Sequence, residues 1–194
     1  MYAFIEGEIA AINPAEVVIN CGGVGYGISI SVYTYSGIKD QKTCRLLTHL
    51  VVKEDALVLY GFSGEDERQL FRHLISVSGV GAGTARLILS SLTPDEVSEA
   101  IVSGNVGALQ RVKGIGGKTA QRIIIDLKDK LGKASGFREI LGSPHNTGKE
   151  EALSALSMLG FNKVLAEKAI EKIIKEEGSS VTVEQLIKGA LRIL

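Results

Sequence analysis

Two short stretches carry the residue types and spacing that could do chemistry. They are Gly79-Val80-Gly81 and Gly114-Ile115-Gly116, each followed three residues on by a threonine, Thr84 or Thr119. Both lie in a gapless internal repeat. Residues 74–92, LISVSGVGAGTARLILSSL, align with 109–127, LQRVKGIGGKTAQRIIIDL, at an offset of 35, and 8 of the 19 positions are identical. Each copy reads as helix, glycine-aliphatic-glycine turn, helix. Glycines allow positive φ and the close approach of another backbone. The aliphatic residue between them plugs the gap between the two helices. The turn then presents backbone N–H groups at the start of the second helix, and those donors together with the helix dipole form an anion site. A hairpin of this kind grips a phosphate without reading a base. Two copies hold two phosphates at a fixed separation and so respond to backbone shape.

The charge distribution agrees with a phosphate ligand. The whole chain has 22 basic and 22 acidic residues, a formal net charge of zero. Residues 1–65 nevertheless carry a net −3 and residues 66–133 a net +3, and 108–133 alone hold 7 basic against 2 acidic residues. Lys113, Lys118 and Arg122 surround the second turn. A local basic patch is what phosphate binding needs, whatever the overall balance. Gly117-Lys118-Thr119 imitates the end of a nucleotide-binding P-loop, but that motif needs glycine at 112, where this chain has Val112, and it follows a strand. His49, His73 and His145 are scattered, and with Cys21 and Cys44 they make no metal-ligand spacing. No nucleophile–base pair emerges. Glu54-Asp55, two adjacent acids between the apolar runs Leu50–Val52 and Ala56–Tyr60, read as a solvated hairpin tip. On a barrel that faces DNA the same tip would repel phosphates.

Three kinds of element position these residues. Met1–Ala10, Glu16–Cys21, Val24–Val32, Arg45–Lys53 and Asp55–Phe62 are β-branched or alternating runs, separated by Asn13-Pro14, Gly22-Gly23 and the polar stretch Ser36–Lys42. Five short strands in about 60 residues suit a small closed barrel, with Gly25 and Gly27 marking its tight bend. From Ser63 the periodicity becomes helical, over Asp66–Val77 first. Thr93-Pro94-Asp95-Glu96 opens a helix with a capping box, and Asn105 caps the next. Residues 134–148 read as a linker. A three-helix unit follows over 149–194, with Thr147/Glu150 and Thr182/Gln185 as capping boxes, Asn162 as a cap and Gly160 and Gly178 as stops. The expected organisation is thus a five-stranded closed barrel (1–63), an all-α domain with two helix-hairpin-helix motifs (64–133), a flexible linker (134–148) and a three-helix domain (149–194). No stretch approaches the roughly 20 apolar residues of a membrane helix. An acidic N-terminus unlike a signal peptide and two cysteines suit the cytoplasm.

In this order the elements resemble the RuvA family of bacterial Holliday-junction-recognition proteins. MYAFIEGEI, VGYGISIS, HLVVKEDALVLYGF, LISVSGVG, LQRVKGIGGKTAQRIIIDLKDKL, ALSMLGF and LIKGALRIL carry the resemblance, which covers essentially the whole chain. It implies an OB-like fold for the barrel, a UBA-like fold for the C-terminal three-helix domain, and a homotetramer, or an octamer on DNA, whose flat basic face holds a four-way junction open in recombination and repair. Gly79, Gly81, Thr84, Gly114, Gly116, Lys118, Thr119 and Arg122 would hold DNA phosphates. Where the family often has a basic residue after the first hairpin this chain has Ala82-Gly83-Thr84, so the second hairpin is expected to matter more. Glu54 and Asp55 match the acidic pin at the junction centre. Leu156, Leu159 and Leu191 match positions that dock on the hexameric ATPase RuvB. ATP hydrolysis would belong to RuvB and junction cleavage to RuvC, leaving this chain without catalytic residue, metal or cofactor. The alternative is a helix-hairpin-helix nuclease or glycosylase, which needs a catalytic Asp or Lys in a pocket or clustered carboxylates on a metal. Asp126 and Asp129 follow the second hairpin, but beside Lys128, Lys130 and Lys133 they read as surface charge. A protein-interaction adaptor that binds no DNA is a further alternative.

Overall fold

The computed structural model describes residues 2–140, 147–178 and 181–194. It divides into two compact units, Met1–Ala134 and Ser135–Leu194. In the first, strands β1 (Phe4–Asn13), β2 (Glu16–Cys21), β3 (Val24–Ile30), β4 (Thr43–Val52) and β5 (Leu57–Phe62) form a closed barrel in the order β1-β2-β3-β5-β4. All pairings are antiparallel except β3 with β5. Period-2 alternation drives this arrangement. Val17 and Ile19 on β2, Ile28 and Ile30 on β3 and Leu46 on β4 fill the interior with branched aliphatic side chains. Asn13 closes the β1–β2 turn by accepting from the N–H groups of Ala15 and Glu16.

Two details of the barrel depart from the sequence reading. Its closest backbone approach is at Gly7, where a Cβ would stand 2.2 Å from the Asn20 carbonyl oxygen. At Gly25 and Gly27 a Cβ would meet only side chains, at 3.4 and 3.2 Å. In addition, the strand expected to reach Val32 ends at Ile30, and helix α1 (Val32–Ile38) occupies part of the stretch read as a polar turn. Ser31 caps α1 by accepting from the Thr34 N–H at 3.0 Å. Thr34 and Ile38, one turn apart, are buried beneath it. Burial of that i, i+4 face overrides the poor helix propensity of VYTYSGI.

Helices α2 (Glu65–Ile75), α3 (Ala82–Ser91), α4 (Pro94–Ser103), α5 (Val106–Gln110) and α6 (Gly117–Ile140) complete the first unit's chain and run on beyond it. Thr93 and Glu96 form the expected capping box of α4, and Asn105 caps α5. The boundary expected near residue 63 is bridged by a shared core. Tyr60 and Phe62 of β5 belong to the same buried cluster as Leu70, Phe71 and Leu74 of α2. Phe71 stacks 5.0 Å from Tyr60 and 4.9 Å from Phe62, centroid to centroid. The expected linker begins inside α6, which continues to Ile140; residues 141–146 lie outside the described residues.

The second unit packs α7 (Thr147–Met158), α8 (Lys163–Glu177) and α9 (Val183–Ile193) around Ala152, Leu156, Ile170, Ile173 and Leu186. Helix α7 starts at Thr147, and the side chains of the capping box expected at Thr147/Glu150 lie outside the described residues. Asn162 caps α8, and Thr182 with Gln185 forms the capping box of α9. Small residues let the helices approach: a Cβ at Gly189 would stand 2.8 Å from Ile173 Cδ1.

Candidate nucleic-acid interface

The repeat seen in sequence is also a repeat in geometry. Val77 N–H donates to the Leu74 carbonyl at 3.1 Å, Val80 N–H to Val77 at 3.0 Å and Ala85 N–H to Gly81 at 2.9 Å. Thirty-five residues on, Val112 donates to Leu109 at 3.2 Å, Ile115 to Val112 at 3.0 Å and Ala120 to Gly116 at 3.0 Å. Gly79 and Gly114 take φ of +88° and +89° in the two turns, a conformation that side chains rarely adopt. Val80 and Ile115 are the expected plugs, at 5 % and 6 % exposure.

Gly81 and Gly116 need a different explanation. Neither has positive φ, and a Cβ at either would meet nothing within 4 Å. The fold itself therefore tolerates a side chain there. What their bareness provides is an open approach to the helix start from outside. Gly81 caps α3 with no side-chain hydrogen bond, so the first-turn N–H groups of Ala82, Gly83 and Thr84 lack the usual capping oxygen. Neither α3 nor α6 has an acid in its first turn, whereas α2 carries Glu65, Asp66 and Glu67 and α4 carries Asp95 and Glu96. The two hairpin helices thus present positive dipole ends that no carboxylate of their own neutralises.

The side chains around the two turns differ. Lys113 and Lys118 are exposed, and Thr84 and Thr119 are half-buried. Arg122, expected among the phosphate ligands, is exposed but leans on the other hairpin, with Nη1 donating to the Ser78 carbonyl at 3.3 Å. Arg86 of α3 reaches the barrel, where its Nη1 donates to the Ala15 carbonyl at 2.8 Å. Sequence reasoning missed Arg86, whose partner is 71 residues away. His49 and His73 add no cation: burial first, then Arg72 and Arg68 for His49 and Lys130 for His73, hold both below the usual histidine range. His145 lies outside the described residues. Among the described residues no three His, Cys, Asp or Glu side chains group as metal ligands, and no helix is long and apolar enough to cross a membrane.

Glu54 and Asp55 are exposed at the tip of the β4–β5 hairpin, closed by Lys53 N–H donating to the Ala56 carbonyl at 2.9 Å. The last ladder pair beneath them, Val52 and Leu57, is also exposed, which the apolar run alone did not reveal. In the second unit, Leu159 and Leu191 are 61 % and 43 % exposed, but Leu156 is fully buried. Leu156 packs α7 against its neighbours and offers no face to a partner, a correction to the three-leucine docking set. Met158, Val164 and Leu165 are exposed apolar residues that the sequence reading left out.

A small closed barrel fused to a tandem of uncapped, acid-free helix-hairpin-helix turns defines a class of protein that holds nucleic acid by its backbone. Comparison with known proteins narrows the class. Residues 1–61 match the family described as RuvA N terminal domain, 71–129 the SAM-like helix-hairpin-helix tandem, and 148–194 the RuvA C-terminal domain. A protein of Christiangramia forsetii named Holliday junction branch migration complex subunit RuvA is 55 % identical over 194 residues, covering all of both chains. Proteins of the same name from Flavobacterium psychrophilum and Bacteroides fragilis are 49 % and 47 % identical, again over the full length of both chains. The chain belongs to the RuvA family.

Proposed function

We propose that this chain binds four-way DNA junctions by their shape, independently of sequence, and serves as the DNA-binding subunit of a branch-migration complex in recombination and repair. One observation carries the reading. Two turns 35 residues apart repeat the same hydrogen bonds and each opens a helix with bare, acid-free N–H donors. Paired phosphate grips at a fixed spacing favour one backbone geometry over others. Gly81, Thr84, Gly116, Lys118 and Thr119 contact phosphates directly, while Gly79 and Gly114 set the turns.

The working unit is a homotetramer that can double to an octamer on DNA. Four copies of Glu54 and Asp55 then bring eight carboxylates to the point where strands converge, and repulsion of phosphates keeps the junction open. Residues 1–63 and 64–133 hold the DNA, 134–148 link, and 149–194 dock through Leu159, Leu191 and their exposed neighbours on RuvB, the motor that hydrolyses ATP. RuvC supplies cleavage, and the complex works in the cytoplasm. The relatives' shared name and the family matches support a place in a branch-migration complex.

The test is a gel-shift comparison of a four-way junction with linear duplex of equal length at two salt concentrations, with Mg²⁺ present in parallel samples. Tighter, salt-sensitive binding of the junction without cleavage is expected. Equal affinity for the two shapes would overturn the reading, and cleavage would favour a nuclease.

A further inference from the structure

Glu67, in the first turn of α2, is a charged residue at 1 % exposure. Its two carboxylate oxygens face the barrel side. Ser31 Oγ donates to Oε1, and Thr34 Oγ1 donates to Oε2 at 2.6 Å, across 36 and 33 residues of sequence. Ser31 at the same time caps α1, and the Ser63 N–H donates to Thr34 Oγ1 at 3.1 Å. One buried network thus ties the α1 cap, the end of β5 and the start of α2. Burial pushes the Glu67 carboxyl above the ordinary glutamate range despite the bonds from Ser31, Thr34 and Ser63 that pull it down. A buried carboxylate of this kind is weak evidence for stability and better evidence for a fixed geometry.

The rest of the joint shows why geometry would need fixing. Phe71 against Tyr60 and Phe62 is apolar contact, which is non-directional. Hydrogen bonds are directional. Helix α2 leads straight into the first glycine turn, and at 1.5 Å per residue its last turn lies about 12 Å from Glu67. A tilt of about 10° about Glu67 would move that end by about 2 Å, enough to break a phosphate hydrogen bond.

We propose that Glu67 is a positioning residue: by locking α2 to the barrel through Ser31 and Thr34, it sets the orientation of the hairpins relative to the barrel and with it the preference for four-way over linear DNA. This rests on the junction-binding reading above. It assigns the preference to the joint and the raw affinity to the hairpins, so the two are separable.

The experiment uses the full chain and measures affinity for a four-way junction and for duplex of equal length. Glu67→Leu leaves the Ser31 and Thr34 hydroxyls without their acceptor. It should keep duplex affinity and lower the junction-to-duplex ratio about tenfold. Glu67→Gln retains an acceptor and a donor that the hydroxyls can match, and should retain the ratio. Thr34→Val removes one donor from the barrel side and gives the same reading if Glu67→Leu fails to fold. A merely structural role lowers the folded fraction, which weakens binding of both DNAs equally and leaves the ratio unchanged; that result overturns the inference. So does an unchanged ratio with unchanged affinities. If the unmodified chain itself shows no preference for the junction, the function proposed above falls as well; if it does and Glu67→Leu keeps it, the inference on Glu67 falls alone.

Discussion

The two glycine pairs should separate folding from binding. Gly116→Ala adds a methyl where the structure leaves open space and φ is not positive. Removing backbone freedom from the unfolded chain should then raise stability by about 0.4–1 kcal/mol. The same methyl stands in the approach to the N–H groups that open α6. Losing a hydrogen bond to a charged oxygen is worth about 1.5–3 kcal/mol, so each lost phosphate contact should weaken binding about ten- to hundredfold. Gly114→Ala is the mirror case. Its φ of +89° strains any side chain, so the fold should lose more than about 1 kcal/mol. Denaturant unfolding and junction gel shifts on the two variants are the assay. Gly116→Ala should unfold later than the unmodified chain and bind less tightly, whereas Gly114→Ala should unfold earlier. A Gly116→Ala chain that binds junctions as tightly as the unmodified one would remove the external role argued for Gly116.

Other perturbations test the remaining assignments. Lys118→Ala should weaken binding to junction and duplex alike and lower the slope of log affinity against log salt by about 1 per contact; an unchanged slope removes Lys118 from the phosphate set. In Glu54→Gln/Asp55→Asn the exposed tip should fold as before, while duplex is bound better and the junction-to-duplex ratio falls; a ratio that holds or rises makes the two acids ordinary surface charge. Leu156→Ala should cost about 2–5 kcal/mol and melt the small three-helix unit by circular dichroism, whereas Leu159→Asp should leave its helices intact and reduce binding to the motor. For Glu67 the sign follows from its raised carboxyl. The stability it contributes is fully present below the unfolded value and is lost as pH rises through the folded one. Glu67→Gln should therefore melt higher than the unmodified chain at neutral pH, with the gap closing as pH falls through the ordinary glutamate range. A lower melting temperature at every pH would refute that direction.

Local patterns made the barrel, the hairpins and most helix caps readable. Alternation in EVVINC, the Thr93–Glu96 box and the two glycine turns each act within a few residues, and each is where the sequence places it. Helix α1 was hidden because its residues favour strand or turn and only burial of Thr34 and Ile38 makes them helical. Gly7 was hidden because its need is set by the Asn20 carbonyl on the neighbouring strand. The joint of Glu67, Arg68 and Arg86 was invisible for the same reason: Arg68 meets Ala3 and Arg86 meets Ala15, partners 65 and 71 residues away. Leu156 was misjudged differently. Its position carries over from the family, but its burial follows from the i, i+4 spacing with Ala152, which marks the inner stripe of α7.

The duplicated turns also show how one geometry divides its labour. Backbone conformation and hydrogen bonds are the same in both copies, so the demands of the turn itself are met twice. Outside those demands the copies diverge. The second has Arg111, Lys113 and Lys118 where the first has Ser76, Ser78 and Gly83. The first copy's arginine, Arg86, faces inward to the barrel, and the second copy's Arg122 ties back to the first turn at Ser78. The first hairpin is therefore the one tied to the barrel, and backbone N–H groups are what it would offer an anion. The second adds the exposed Lys113 and Lys118, which on the proposed reading would neutralise phosphates and release counterions from the DNA. An anchored grip fixes where the DNA must lie relative to the barrel, and a cationic one supplies attraction from a distance. Both copies offer backbone donors and only the second adds cations beside them, which is a physical reason for two copies whose turns match while their surface residues differ.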